Sequence, residues 1–191
     1  LSNNNPLYII QFIEYLLDEK IASVVNKTTV RIMDFGKFQA HDYLPTDIKD
    51  IYRKRINYLL NVSKKNKTNY LRYLFIMILF NGQLSIKQTE LYFDQDETIV
   101  SFLLKRKFIS TQKNKYTFYH ESLKLYVQKL LMENEHYKKK LSTYMFGLPL
   151  KALSGLSQYT KGRLYLWHNN LDKSIEFFTP IIDSLRSINN I

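Results

Sequence analysis

The stretch over residues 70–120 constrains the fold most, because its apolar residues change from helical spacing to strand-like runs. The pattern from Tyr70 to Phe80 predicts a helix that ends at a turn over Asn81-Gly82. Ser85 is a good N-cap for a second helix, and a third is predicted over about Glu97 to Arg106. The first part of this stretch is therefore helical.

Two β-favouring runs follow these helices. The polar residues Gln112 to Lys115 separate the first run, Phe108 to Thr111, from the second, Tyr116 to Tyr119. This pattern predicts two strands joined by a tip. Three short helices and then a hairpin are typical of a winged helix-turn-helix domain with a small β-hairpin wing.

The scarcity of chain-breaking residues extends the helical prediction to the rest of the chain. The 191 residues include 15 Tyr and 12 Phe but only 5 Gly and 4 Pro, which favours packed helices over loop-rich architecture. The longest unbroken apolar run, Tyr73 to Phe80, is far shorter than the roughly 20 residues of a membrane helix. We expect a mainly α protein that is intracellular.

The first helix is predicted to begin at Pro6, since proline suits the first helical position and Asn5 is a good cap. Its polar residues Gln11, Glu14 and Asp18 share one face, which indicates an amphipathic helix.

The segment that follows this helix has weaker signals. Thr28 to Phe35 alternate loosely up to Gly36, which predicts a short strand or a hairpin. Thr46 is predicted to cap another helix, and the polar cluster Ser63 to Asn69 is predicted to end it as a solvated linker.

The C-terminal part is again helical. A long helix is predicted from Glu121, with Lys138, Lys139 and Lys140 in its last turns, where cations complement the helix dipole. Two more helices, about Ala152 to His168 and Leu171 to Ile188, are predicted to form a helical hairpin. Three segments result: 1–66, 67–140 and 141–191.

The sequence lacks the motifs of several classes of enzyme and metal site. The chain has no cysteine, no GxxxxGK[ST] phosphate loop and no strand that ends in paired acids. The four histidines, His41, His120, His136 and His168, do not have the spacing of metal ligands. The Asp94-Gln95-Asp96 sequence lacks the glycine of a calcium loop and is predicted to cap the third helix. We therefore expect no metal site and no catalytic activity in this chain alone.

Three short motifs together resemble the STAND class of AAA-type signalling ATPases. They are Asn5-Pro6-Leu7 at a helix start, Leu44-Pro45 before another helix, and Phe118-Tyr119-His120 at the end of the wing. The resemblance covers roughly residues 3–135 and is one of order and spacing. It implies that 1–66 is the helical lid subdomain, and that Pro6 packs against the adenine of bound nucleotide.

In that class a winged-helix histidine contacts the phosphates of ADP and holds the molecule inactive, a role that the resemblance implies for His120. Here Tyr119 stands where the family often has methionine, and Glu121 stands where it has aspartate. A histidine beside the N-H groups of a helix start is suited to accept an anion. The alternative is a partly buried strand-end histidine that hydrogen-bonds to backbone.

The last hairpin resembles a tetratricopeptide unit. Gly162 and Tyr165 lie on its first helix, with Ser174 and Phe178 on the second. Lys161 and Arg186 depart from the repeat pattern, which has a large apolar residue and a proline at these positions. A generic helical hairpin is the equal alternative.

The net charge of +11 leaves three functions open. The first is a regulatory lid that senses ADP or ATP with Mg, held by a nucleotide-binding domain in cis outside this chain, with a protein trigger or effector bound by helical repeats. The second is a DNA-binding winged helix that uses a cluster of basic residues. The acids Asp94, Asp96 and Glu97 at the start of the third helix argue against this function. The third is a helical protein-interaction scaffold. We expect a cytoplasmic protein with no membrane partner. The basic cluster comprises Lys105, Arg106, Lys107, Lys113 and Lys115.

Overall fold

The structure is a computed structural model that describes residues 6–26, 29–40, 44–66, 69–93 and 97–189. It is mainly helical with two small sheets, which confirms the predicted fold class. The described residues form two compact units, one from 1–71 and 98–109 and the other from 72–97 and 110–191. The division into 1–66, 67–140 and 141–191 stays a prediction.

The first unit begins with helix α1 (Pro6–Asp18), as predicted, and Tyr8, Tyr15 and Leu16 of this helix enter its core. Strands β1 (Ala22–Asn26) and β2 (Thr29–Ile32) pair antiparallel, so the residues after α1 form a hairpin. The sequence predicted a strand or a hairpin over Thr28 to Phe35; the hairpin is present but begins at Ala22, and residues 35–39 form helix α2 (Phe35–Gln39), which Asp34 caps. Thr28 lies outside the described residues.

Helix α3 (Ile48–Asn66) completes the sequence-contiguous part of this unit. Asp47 caps it by accepting from the Asp50 N-H, and Asp50 in turn accepts from the Thr46 N-H. The prediction of Thr46 as the cap was wrong by one residue, because the Asp47 carboxylate satisfies the free N-H. The predicted linker over Ser63 to Asn69 was also wrong for residues 63–66, which are helical. Lys67 lies outside the described residues.

The middle of the chain follows the predicted order with one added strand. Its helices are α4 (Tyr70–Leu79), α5 (Ile86–Phe93) and α6 (Glu97–Lys105), and its strands are β3 (Gln83–Ser85), β4 (Ile109–Gln112) and β5 (Lys115–Phe118). The three strands form one sheet in the order β3-β5-β4. The added strand β3 pairs antiparallel with β5, and it is too short to have been visible as a pattern.

Local turn and cap chemistry explains these boundaries. Asn81 and Gly82 both have positive φ, and the Gly82 N-H closes the end of α4 on the Met77 carbonyl. Ser85 and Gln88 form a reciprocal capping box at the start of α5, which confirms Ser85 as the cap. The predicted cap of the third helix, Asp94 to Asp96, lies outside the described residues.

The C-terminal helices are α7 (Glu121–Glu133), α8 (Glu135–Phe146), α9 (Leu150–Ser154), α10 (Gln158–Trp167) and α11 (Leu171–Asn189). The single long helix predicted from Glu121 was wrong, because Asn134 ends α7 and its side chain caps α8 at the Tyr137 N-H. Lys138, Lys139 and Lys140 therefore lie within α8 and not in the last turns of a helix. The predicted helix from Ala152 to His168 is likewise interrupted, with Ser157 capping α10.

The predicted helical hairpin is present as α10 and α11. Ser174 is buried and its hydroxyl donates to the Gly162 carbonyl over 3.0 Å. A Cβ added at Gly162 would lie 2.8 Å from Cε1 of Phe178, so only glycine allows this close approach. The Tyr165 ring stacks on Phe177 with centroids 5.4 Å apart.

Candidate functional site

Pro6 occupies the first position of α1, where its missing N-H is no loss, and its side chain is exposed. The proposed cap Asn5 lies outside the described residues. Two positions further on, the Tyr8 hydroxyl donates to the carbonyl of Pro45 over 3.0 Å. This bond ties the start of α1 to the segment before α3.

His120 lies directly after β5 and is the N-cap of α7. Its Nδ1 accepts from the backbone N-H of Ser122 at 3.2 Å and lies 2.9 Å from the Ser122 hydroxyl. A ring nitrogen that accepts carries no proton, so the neutral imidazole carries its proton on Nε2. His120 is also exposed. The hydrogen bond to backbone that the alternative interpretation predicts is therefore present, but the partial burial that it also predicts is not. The second ring nitrogen, which carries the proton, is directed away from the cap.

The five basic residues of the proposed DNA-binding cluster have different surroundings. Arg106 Nη1 lies 3.2 Å from Asp18 Oδ1, and Lys107 Nζ lies 2.9 Å from Glu14 Oε1. The other three, Lys105, Lys113 and Lys115, are exposed. The acidic residues Asp94 and Asp96, which argued against this cluster, lie outside the described residues.

The first unit contains a buried charged network that the sequence did not predict. Gln11, Glu14 and Asp18 of α1 are buried although they form its polar face, whereas Ile9 and Ile10 are 46% and 37% exposed. The polar face of α1 and part of its apolar face are therefore both buried, unlike the usual amphipathic helix, whose polar side chains face solvent. The signal that could have revealed the network is the position of Arg55, which lies four residues from both Ile51 and Leu59 on the buried apolar stripe of α3.

Arg55 of α3 supplies the centre of that network and is fully buried. Its Nε donates to Asp18 Oδ2 over 3.0 Å, and its Nη1 donates to Gln11 Oε1 over 2.5 Å. Its Nη2 donates to the Arg106 carbonyl, and the guanidinium lies 4.2 Å from the centroid of the Phe108 ring. All these groups belong to the first unit.

Two arginines, Arg55 and Arg106, contact the Asp18 carboxylate. Burial raises the pKa of its carboxyl to about 6, while the positive charges of Arg55 and Arg106 act in the opposite direction and the nearby Glu14 adds to the increase. The contact of Arg106 with Oδ1 is an ion pair whose geometry is not that of a hydrogen bond. The network is polar and charged but closed to solvent at Asp18, so it is suited to hold α1, α3 and the end of α6 in place.

No group of three or more His, Asp or Glu side chains that could hold a metal ion occurs among the described residues. Within the same part of the chain, none of the helices is both long and apolar enough to span a membrane. His136 lies in α8, and His168 directly follows α10. His41 lies outside the described residues.

Comparisons with known proteins gave no match: no family model, curated protein or solved structure is significantly similar to this chain.

Proposed function

We propose that this chain is the lid and winged-helix part of a STAND-type signalling ATPase, in which His120 reads the phosphates of a nucleotide held by another domain. The observation that carries the proposal is the fixed ring of His120. Its Nδ1 accepts the Ser122 N-H at the cap of α7, which leaves the N-H of Nε2, on an exposed side chain, to donate to an anion. The N-terminal dipole of a 13-residue helix adds a favourable field for negative charge.

Pro6 supports the same proposal from the first unit. Its ring is exposed at a helix start, so it offers a flat apolar surface on which a base could pack. The complete molecule would use ATP or ADP with Mg, and its compartment would be the cytoplasm.

The β1-β2 hairpin offers a surface for the nucleotide-binding domain. Val24 pairs with Val30 across the hairpin, and their side chains are 59% and 39% exposed. Val25, Met33 and Phe35 are also at least half exposed. Neighbouring exposed apolar side chains mark interaction surfaces, and Val24 and Val30 are neighbours across the hairpin. A neighbouring domain in cis would cover them.

Two substitutions at His120 separate its capping role from phosphate sensing. His120→Asn keeps a side chain that caps a helix but removes the imidazole, whereas His120→Ala removes both. In the full-length protein we expect both variants to bind ADP about tenfold more weakly, since each loses a hydrogen bond to a charged phosphate. In this chain only the alanine variant should lose about 1 kcal/mol of unfolding free energy. Wild-type ADP affinity in both variants would rule out the sensor role.

DNA binding is the alternative for the same winged-helix region. The three exposed lysines, Lys105, Lys113 and Lys115, support it, but the ion pairs of Arg106 and Lys107 reduce the free positive charge. We expect binding to duplex DNA to be weak and to disappear at moderate salt, as for a non-specific patch. Retained nanomolar binding to one sequence would favour a transcriptional regulator.

A further inference from the structure

Helix α11 carries a stripe of apolar residues that faces solvent. Leu171, Ile175, Ile182 and Leu185 are 60%, 54%, 47% and 56% exposed. Phe178 lies between them and is half-buried, because one side of its ring packs against Gly162 of α10. Successive members are 4, 3, 4 and 3 residues apart. This is the a and d spacing of a heptad, with Ile175 and Ile182 at a, which is the pattern of helices that pack against another helix.

We propose that this stripe pairs with the same stripe of a second copy of the chain, in an antiparallel helix pair about a two-fold axis. In such a pair each a residue packs on a d residue of the other helix. Ile175 then meets Leu185 of the second copy, and Phe178 meets Ile182 of the second copy. The two-fold axis repeats both contacts, as an isologous interface requires.

The charges beside the stripe select a second copy in this orientation. Asp172 and Arg186 each directly follow a d residue, so both occupy e positions. In an antiparallel pair e positions face each other, and the register above places Asp172 beside Arg186 of the second copy, twice. A parallel pair would instead place e beside g, and the g positions Ser174 and Ile181 carry no charge. Among the described residues of one chain, the ion pair of Arg186 is an exposed contact with Asp183 at 3.8 Å.

The charge of α11 also favours self-association over a polyanionic occupant. The chain carries +11 in total, which repels a second copy over most of its surface. Helix α11 contains three acids and two bases and therefore has a net charge of −1. This helix does not add to the repulsion between two copies. It also does not attract nucleic acid or an anionic membrane. The charged residues are Asp172, Lys173, Glu176, Asp183 and Arg186.

Sedimentation equilibrium over micromolar to millimolar concentration tests the proposal. We expect the mass to rise with concentration from 22.9 kDa toward twice that value. Arg186→Asp and Asp172→Arg should each weaken the dimer at least about tenfold, because each creates two like-charge contacts. The double variant should restore the wild-type affinity. Lys173→Asp, which makes the same charge change as Arg186→Asp but at a position away from the stripe, should leave the dimer intact.

Single cysteines test the orientation, since the natural chain has none. Thr179 occupies the e position at the two-fold axis, so Thr179→Cys should form a disulfide-linked dimer under mild oxidation. Asp172→Cys should not, because residue 172 lies opposite residue 186 of the second copy. The substituted positions are exposed on α11, so the variants should keep wild-type helical circular dichroism. A chain that stays monomeric, or a dimer unaffected by Arg186→Asp, would overturn the proposal, as would failure of the double variant to restore affinity.

Discussion

Replacing Arg55 by Met is expected to lower the free energy of unfolding by about 3–5 kcal/mol, the usual cost of breaking a buried ion pair by removing one partner. The methionine retains the apolar part of the side chain but leaves Asp18 and Gln11 without their donor. The Arg106 carbonyl also loses its hydrogen bond, and the Phe108 ring loses the guanidinium above it. Urea unfolding followed by circular dichroism measures the difference.

Arg53 provides a matched control on the same helix. Its Nη2 lies 2.5 Å from Asp50 Oδ1, but its side chain is 67% exposed. Water screens such a pair, so Arg53→Met should change the unfolding free energy by less than about 1 kcal/mol. Equal losses in the two variants would show that Arg55 contributes no more than a surface arginine, and would remove the buried network from the account of stability.

The stability contribution of Asp18 is expected to fall as the pH rises from about 3.8 to about 6. Its carboxyl has a pKa of about 6 in the folded chain and the ordinary aspartate value of 3.8 when unfolded, so the folded state binds the proton more tightly. This contribution is fully present below pH 3.8 and is lost as the pH passes through 6. Its full size is about 3 kcal/mol. Other acids titrate over this range, so the measurement is a comparison with a variant.

Asp18→Asn is that variant, because its amide resembles the protonated carboxyl and does not titrate. The difference in unfolding free energy between Asp18→Asn and wild type should move in favour of the asparagine variant as the pH rises from 4 to 7. The loss caused by Arg55→Met should also be larger at pH 7 than at pH 4, since an ionised Asp18 needs the guanidinium more than a protonated one does. A difference that moves in favour of wild type would show that the arginines outweigh the burial of Asp18.

Local chemistry made much of the fold predictable. Proline at the start of α1, the Ser85-Gln88 capping box and the Asn81-Gly82 turn act within a few residues, so their signals are complete in the sequence. The hairpin tip was predicted as the four residues Gln112 to Lys115, but only Lys113 and Asn114 form the turn, and both adopt positive φ as a two-residue turn requires. Errors arose at Asn134 and at Ser63 to Asn66, where polar residues occur both at helix ends and on exposed helix faces.

The candidate functional site also has one part that the sequence determines and another that only the tertiary structure decides. The sequence by itself determined that His120 follows a strand and begins a helix, because the strand and helix patterns meet there and its cap partner Ser122 is only two residues away. Only the tertiary structure decided that Asp18 and Gln11 are buried. Their partner Arg55 lies 37 and 44 residues away, and a polar face is stable in a core only where such a distant group satisfies it. The same applies to β3, whose three residues become a strand only through pairing with β5.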